Sequence, residues 1–537
     1  RGLGDVYKRQ ESKYSVIARQ QHELNHEFLL MYNGRFNDKI TLDANAGGNI
    51  MYRRYEYVMG ESVGGLVLPD FYNLSNSVST PKASNKLTKK SINSLFASAT
   101  LGYSGMAYLD VSLRNDWSST LPKGNNSFLY PSVTGSFLIS EVLKKDWLDL
   151  AKVRLGWAKV GNDTDPYNIN DIYSFYASFN DLPAYVTSTT KRNSGLKPEQ
   201  TYSYEFGLEG AFFKNRLGFD FSLYSSETKD NIVPLSLSGA TGYTAYYLNA
   251  ATIQNKGFEL MVHGTPIQTK DFEWTVTGTV SGNKNKVKEI LGDSENGYLR
   301  LTNAPFKVEI GARAGEEYGV IMGTDYVYDD NGNKVVTSTG VYASTDSNVP
   351  LGSAYPKTLW GLNNSFRYKN LSLSVLFNAQ FGGKYFSTSN MWGIYSGMLQ
   401  ETVGLNELGN PKRDAIADGG GILLEGVKAD GTPNTTRISA TRWASSVYSG
   451  PAAQNVFKSD FIKLREITLS YDVPLTSTKW VKGLKISAYG RNLAMFGLDN
   501  KNFDPEMATT SSGNIQGVEG GALPSTASFG FNVGVQF

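Results

Sequence analysis

The last ten residues, SFGFNVGVQF (Ser528–Phe537), decide the fold. Phe529, Phe531, Val533, Val535 and Phe537 alternate with Gly530, Asn532, Gly534 and Gln536. Successive side chains of a strand point to opposite faces, so this segment has one apolar wall and one small or polar wall. The same period of two recurs upstream. Leu217, Phe219, Phe221 and Leu223 alternate with Gly218, Asp220 and Ser222, and Leu371, Leu373, Val375, Phe377, Ala379 and Phe381 with Ser372, Ser374, Asn378 and Gln380. Trp274, Val276 and Val280 do the same, as do Leu484, Ile486 and Ala488. About 16 such segments of roughly ten residues can be traced, the length that crosses a bilayer when tilted.

The connections are asymmetric. Asn37-Asp38, Lys214-Asn215 and Lys369-Asn370 read as tight turns, whereas 48–90, 161–200, 383–459 and 499–525 read as long polar or glycine-rich loops. Short turns alternating with long loops are the pattern of outer-membrane barrels, with the loops outside. A soluble sandwich joins its strands by short connections, and no internal repeat marks a propeller. The expected fold is therefore all-β: a transmembrane antiparallel barrel with long extracellular loops, its apolar rows facing outer-membrane lipid.

Composition agrees. Of 537 residues, 40% are hydrophobic, 19% charged and 12% aromatic, with 55 Gly and no Cys. The missing cysteines remove disulfides, thiol chemistry and most structural zinc sites. A net charge of +2 without a basic stripe gives no reason to expect nucleic acid as a partner. No stretch of 18 apolar residues offers a membrane-spanning helix. Residues 1–10 are polar and patternless and are set aside as a non-native or unstructured scar, leaving 11–537 as barrel.

One motif has a catalytic look. His22-Glu23-Leu24-Asn25-His26 is an H-E-x-x-H, which on a helix would place two imidazoles on zinc with Glu23 as base. The segment runs into Phe28, Leu30 and Tyr32 at strand spacing, and no third ligand is recognisable, so a strand is expected and no metal or other cofactor. Asp329-Asp330-Asn331-Gly332-Asn333 opens like a calcium loop but lacks the glutamate at loop position twelve, and a hairpin turn is expected. No phosphate loop, dinucleotide fingerprint or G-x-S-x-G occurs, so an enzyme is not expected. Aromatics in the long loops, Tyr385, Trp392, Tyr395, Trp443 and Tyr448, are the candidates for ligand contact, against loop packing as the plainer use of such rings.

Several segments resemble the SusC/RagA family of TonB-linked outer-membrane proteins. These are Ser91–Trp117, Ser127–Glu141, Lys152–Asp163, Leu196–Ile232, Asn255–Ile267 and Leu359–Phe386. FIKLREITLSYDVP (Phe461–Pro474), ISAYGRNLAMF (Ile486–Phe496), DPE (Asp504–Glu506) and the terminal strand follow. Their order is the family's. The resemblance implies a 22-stranded barrel in a Gram-negative outer membrane, of which this chain would supply the C-terminal part. The N-terminal plug, TonB box and first strands would lie upstream. It further implies import of oligosaccharides or peptides, with a SusD-like surface lipoprotein and energy from the TonB-ExbB-ExbD complex. By the same resemblance, Phe529, Phe531, Val533, Val535 and Phe537 form the strand that docks for barrel assembly. A zinc hydrolase using His22, Glu23 and His26, and a passive porin, are the alternatives. A chain without the upstream strands is expected to leave a seam between its first strand, near Leu24–Asn33, and its last, since a barrel in lipid must close.

Overall fold

The computed structural model describes residues 13–537 except 180–181, 292–297, 304–306, 476–479, 508–515 and 524. Fifteen strands follow one another around one antiparallel sheet. They are β1 (Ser15–Arg35), β2 (Ile40–Leu66), β3 (Ser77–Tyr103), β4 (Ala107–Ser118), β5 (Ser127–Leu138), β6 (Leu148–Asn162), β7 (Glu199–Phe212) and β8 (Leu217–Ser236). Then come β9 (Ala245–Gln268), β10 (Phe272–Ile290), β11 (Thr358–Tyr368), β12 (Leu371–Phe381), β13 (Phe461–Val473), β14 (Gly483–Phe496) and β15 (Ser528–Gln536). A two-residue strand, Thr190–Lys191, lies parallel to β9 and makes the sheet 16-stranded.

Register carries the alternation from strand to strand. Residues directly opposite in an antiparallel pair share a face. Phe531 faces Ala488, which faces Leu469, then Leu373, Phe366 and Trp274. Farther round, Phe377, Leu362, Gly278, Val262 and Phe219 stand in line, and at the other end Leu113, Ala97, Ala46 and Leu30 do. One wall of the sheet is thus apolar from β1 to β15. Its residues are exposed, Phe531 by 80% and Leu30 by 70%, which only a hydrocarbon solvent makes favourable over so large an area. The opposite wall is polar: Ser136, Arg154, Gly207, Ser222, Glu259, Ser281, Leu359 and Gln380 form one of its rows.

The tight turns fall where the sequence places them. The Asn37 side chain accepts from the main-chain N–H of Lys39 and Ile40 at 2.8 and 2.9 Å, an Asx turn. Phe213, Lys214 and Asn215 all take positive φ. Antiparallel order puts alternate connections at opposite rims: those at one rim have two to nine residues, and those at the other have eight or more and include all four that exceed thirty.

The expected loop at 48–90 needs correction. Gly48 pairs with Leu95 and the ladder continues outward to Leu66 and Ser77, so β2 and β3 are 27-residue arms. Beyond the hydrocarbon layer neither face is apolar, and the period of two loses its mark. The connection between β10 and β11 was missed as a long one. It carries a four-stranded sheet of its own, Tyr298–Asn303, Glu309–Arg313, Tyr318–Gly323 and Val349–Ser353.

That small sheet joins the other long connections in an ordered crown. Val308, Ile310, Ile321 and Leu351 share a hydrophobic core with Phe386, Met391, Ala452 and Val518, contributed by three different connections. Asp329 forms the expected hairpin turn, its Oδ1 accepting from the N–H of Asn331 and Asn333 between the bridged pair Tyr328 and Lys334.

At the sheet's ends, β1 pairs only with β2 and β15 only with β14 among the described residues, so the expected seam is present.

Candidate functional site

The polar wall at the crowned rim gathers the chemistry. Strand β13 enters from the longest connection with Phe461 turned inward and buried. A bulge falls at Arg465: the β12 partner register shifts between Leu376 and Phe377, and the β14 register shifts between Leu464 and Glu466. A bulge adds one residue and re-aims its side chain. Arg465 and Lys463 therefore point to the same partners. Lys463 Nζ donates to Asp504 Oδ2 at 3.2 Å and Glu506 Oε2 at 2.6 Å, and Arg465 reaches both oxygens of Glu506 at 2.6 and 3.1 Å. Arg465 also donates to Asn378 Oδ1 and to Asn492 Oδ1, and Asn492 holds a positive φ of 53° in β14. Ser525 donates to Asp504 from the far end of the same connection.

Burial gives this network its weight. The Lys463 side chain is 3% exposed and that of Asp504 8%. Burial works to raise the Glu506 carboxyl, but hydrogen bonds from Arg465 and Lys463 and their charges hold it below the ordinary carboxylate range. Three segments quoted above for the resemblance, around Arg465, Asn492 and Glu506, thus meet at one place. Their sequence signal was a basic pair on one strand and an acidic D-P-E after the next, but nothing local links them across 41 residues.

Above the network lies a cavity of about 340 Å³ bounded by Leu359, Gln380, Tyr385, Ser459, Pro505 and Glu506, among others. Tyr385 packs its ring on Phe457 at 6.0 Å and is almost wholly buried. Burial, with Glu519, Asp499 and Asp504 nearby, pushes its hydroxyl well up, so it stays protonated.

The other four aromatic candidates lie elsewhere in the crown. Helix α1 (Thr388–Tyr395) begins on Ser387, whose hydroxyl accepts from Asn390 N–H, and α2 (Ala440–Ser449) begins on Ser439 in the same way. Trp392 and Tyr395 of α1 meet Tyr448 of α2: Trp392 stacks on Tyr448 at 5.2 Å and stands edge-on to Tyr395 at 5.5 Å. Trp443, also on α2, packs between Val336, Leu424 and Ile438 on one side and the α1–α2 cluster of Ile394, Ala444 and Val447 on the other. The structure therefore brings the rings of three of the five together, sets Trp443 in the same helix contact, and separates Tyr385 from them. Only Tyr395 of the trio is largely exposed.

The H-E-x-x-H segment lies in β1 as expected. Four residues of strand span roughly 13 Å, so His22 and His26 cannot share an ion. Glu23 is on the other face, bound to Arg53 at 2.7 Å and to Asn25. Among the described residues no group of three His, Asp or Glu could hold a metal.

Comparison with known proteins places this architecture. The family TonB dependent receptor-like, beta-barrel, matches residues 3–493. TonB-dependent receptor P26 of Formosa agariphila is 26% identical over 95% of this chain and 53% of its own length. TonB-dependent receptor SusC of Bacteroides thetaiotaomicron is 25% identical over 79% of this chain and 42% of its own length. Among solved structures, the RagAB peptide transporter superposes with a TM-score of 0.76 over 98% of this chain and 56% of that one, at 19% identity. The chain spans about half the length of the curated relatives it matches. The family model covers most of the chain and names the barrel that the two walls of the sheet imply, and the chain belongs to the TonB-dependent receptor β-barrel family of the Gram-negative outer membrane, a family of receptors rather than enzymes.

Proposed function

We propose that the complete protein imports polar oligomers, oligosaccharides or peptides, across the outer membrane, driven through TonB-ExbB-ExbD and working with a SusD-like lipoprotein. The observation that carries this reading is the polar wall with, at one rim, a crown of connections that has its own hydrophobic core. A passive porin needs an open mouth, whereas a crown built from three connections suits a mouth that opens for a ligand. Polar side chains on the wall, among them Arg154 with Asp220 at 2.8 Å, offer hydrogen bonds rather than an apolar path. The likeness to the RagAB peptide transporter supports the peptide class, and the resemblance carried by the sequence segments implies the oligosaccharide class and the lipoprotein.

The two unpaired edges, β1 and β15, support further strands between them. Main-chain groups in hydrocarbon must be paired, so the barrel closes only if something lies between these edges. We place the remaining strands of the receptor there, and the plug inside. By the same reading, the row from Phe529 to Phe537 is the assembly strand, and Tyr395 with Trp392 and Tyr448 is a surface for stacking ligand.

The test is uptake in the native host. Deleting the whole gene should abolish accumulation of a labelled oligosaccharide or peptide that supports growth, and an uncoupler of the proton gradient should do the same. Uptake unchanged by the deletion, or indifferent to the uncoupler, would reject the reading.

A further inference from the structure

We propose that the outer wall at β9 to β11 holds a phosphorylated glycolipid of the outer leaflet, with its phosphate against Lys256, Lys284 and Lys357 and an acyl chain in the apolar groove beneath them. The inference concerns the face of the barrel that the import reading leaves idle.

Register puts the parts on one face. Val262, Gly278 and Leu362 belong to the apolar row described above, and Phe258, Gly282 and Thr358 stand in line nearer the crown with no bulge between. Beyond them Lys256 pairs directly with Lys284, and Lys286 follows opposite Gln254. On β10 the lipid-facing positions run Trp274, Val276, Gly278, Val280 and Gly282, and then Lys284. Trp274 to Gly282 is one tilted crossing, roughly nine residues, so Lys284 stands where hydrocarbon gives way to headgroups. The crown marks this rim as the extracellular one, and the outer leaflet of a Gram-negative outer membrane is built of phosphorylated glycolipids.

Lys256, Lys284 and Lys357, with Phe258, Thr358 and Glu317, bound a notch of about 400 Å³ where β11 begins and β10 runs on past it. Like charges directly opposite each other on a sheet are destabilising, and Lys256 and Lys284 are so placed. Glu317 is the one acid among the lining residues, against three lysines. Glu227, on the same face of β8, is taken by Lys229 at 3.3 Å. Among the described residues none of the three ammonium groups has a hydrogen bond or ion pair. An anion seated between them turns their repulsion into attraction.

Directly beneath, Leu260, Val262, Val280, Trp360, Leu362 and Phe377 line a groove of about 670 Å³ in the lipid-facing wall. Gly278, between Val262 and Leu362 in register, makes its floor, and a Cβ added there would meet nothing within 4 Å. A phosphate above a hydrocarbon chain has this geometry, which a soluble anion or an acidic peptide does not.

The experiment uses the full-length receptor in a neutral detergent. Native mass spectrometry titrates bisphosphorylated lipid A, the same lipid with its phosphates removed, and inorganic phosphate. Lys256→Gln and Lys284→Gln remove charge at the notch, and Gly278→Leu fills the groove without a clash. Lys82→Gln with Lys86→Gln removes as much charge from the polar face of β3. Heat-modifiable gel mobility checks that each barrel is intact. Bisphosphorylated lipid A should bind about fivefold more weakly in each lysine variant and about 25-fold more weakly in the double variant. Gly278→Leu should weaken it about as much as one lysine, and the β3 control should leave it within about twofold. Equal binding of the two lipid forms, or equal losses from the notch and β3 variants, would overturn the proposal in favour of general charge attraction. Inorganic phosphate binding as tightly as the lipid would overturn it in favour of a soluble anion. Lipid binding indifferent to Gly278→Leu would overturn the placement of the chain.

Discussion

Replacing Lys463 with Met should release the connection between β14 and β15 from the barrel wall while leaving the barrel itself intact. Met keeps most of the stem volume and removes only the charge. Glu506 retains Arg465 on both oxygens, so the loss concentrates on Asp504, whose side chain is 8% exposed. Removing one partner of a buried pair costs about 3–5 kcal/mol. Asp504 keeps the Ser525 hydroxyl and the Glu506 N–H, which places the cost near the lower bound, about 3 kcal/mol. At 1.4 kcal/mol per decade, the open population of this connection should rise about 100-fold. Hydrogen exchange of the amides of residues 497–507 in the full-length receptor reads this local opening directly. The ladder amides of β13 and β14 should keep their protection. Exchange within about threefold of wild type at residues 497–507 would refute the argument, because the network would then contribute little.

Acid should act on the same network. The Glu506 carboxyl is held below its ordinary range, so its contribution is present above the unfolded value of about 4.3 and is lost as pH falls through the depressed folded value. Protection factors at residues 497–507, taken relative to the intrinsic exchange rate at each pH, should be flat from pH 5 to 8 and fall below about pH 4; a fall already at pH 6 would contradict this assignment. Val533→Arg should cost about 2–4 kcal/mol and reduce the assembled receptor in outer membranes, whereas Asn532→Arg, on the polar wall, should assemble normally; equal yields would reject the assignment of faces. Trp392→Ala should loosen the α1–α2 contact by about 0.5–1.5 kcal/mol for each lost ring pair, seen as faster proteolysis within residues 388–449. His26→Ala should leave the zinc content of purified receptor unchanged, and loss of a stoichiometric zinc on that change would restore the hydrolase reading.

The barrel was legible because lipid on one side and water on the other stamp a period of two on every crossing. That signal ran from Leu217 to Phe537 without help from tertiary structure. It failed at Gly48–Leu66, where apolar and charged residues share each face, Ile50 with Arg54 on one and Met51 with Arg53 on the other, and pairing is set by register with β3. It also failed for the crown, whose core takes Ile321, Phe386 and Val518 from three connections, so that no segment carries the pattern alone. The aromatic candidates were a statement about composition, and only the fold could separate the Trp392, Tyr395 and Tyr448 trio from Tyr385. Lys463 and Glu506 could not be linked from sequence, since a bulge at Arg465 aims the pair and bulges leave little trace in the pattern.

The central claim is that one continuous wall of this sheet faces lipid. Nitroxide labels placed singly at each position of β12, Leu371 to Phe381, in the full-length receptor in bilayers would test it most directly. Collision rates with oxygen should peak at Leu371, Leu373, Val375 and Phe377, and those with a water-soluble nickel complex at Ser372, Ser374, Leu376 and Asn378, in strict alternation. Leu376 is the informative position, since it is apolar but lies on the polar wall, opposite Asn363 and Glu466. Oxygen accessibility following side-chain polarity rather than position, or no alternation at all, would contradict the account.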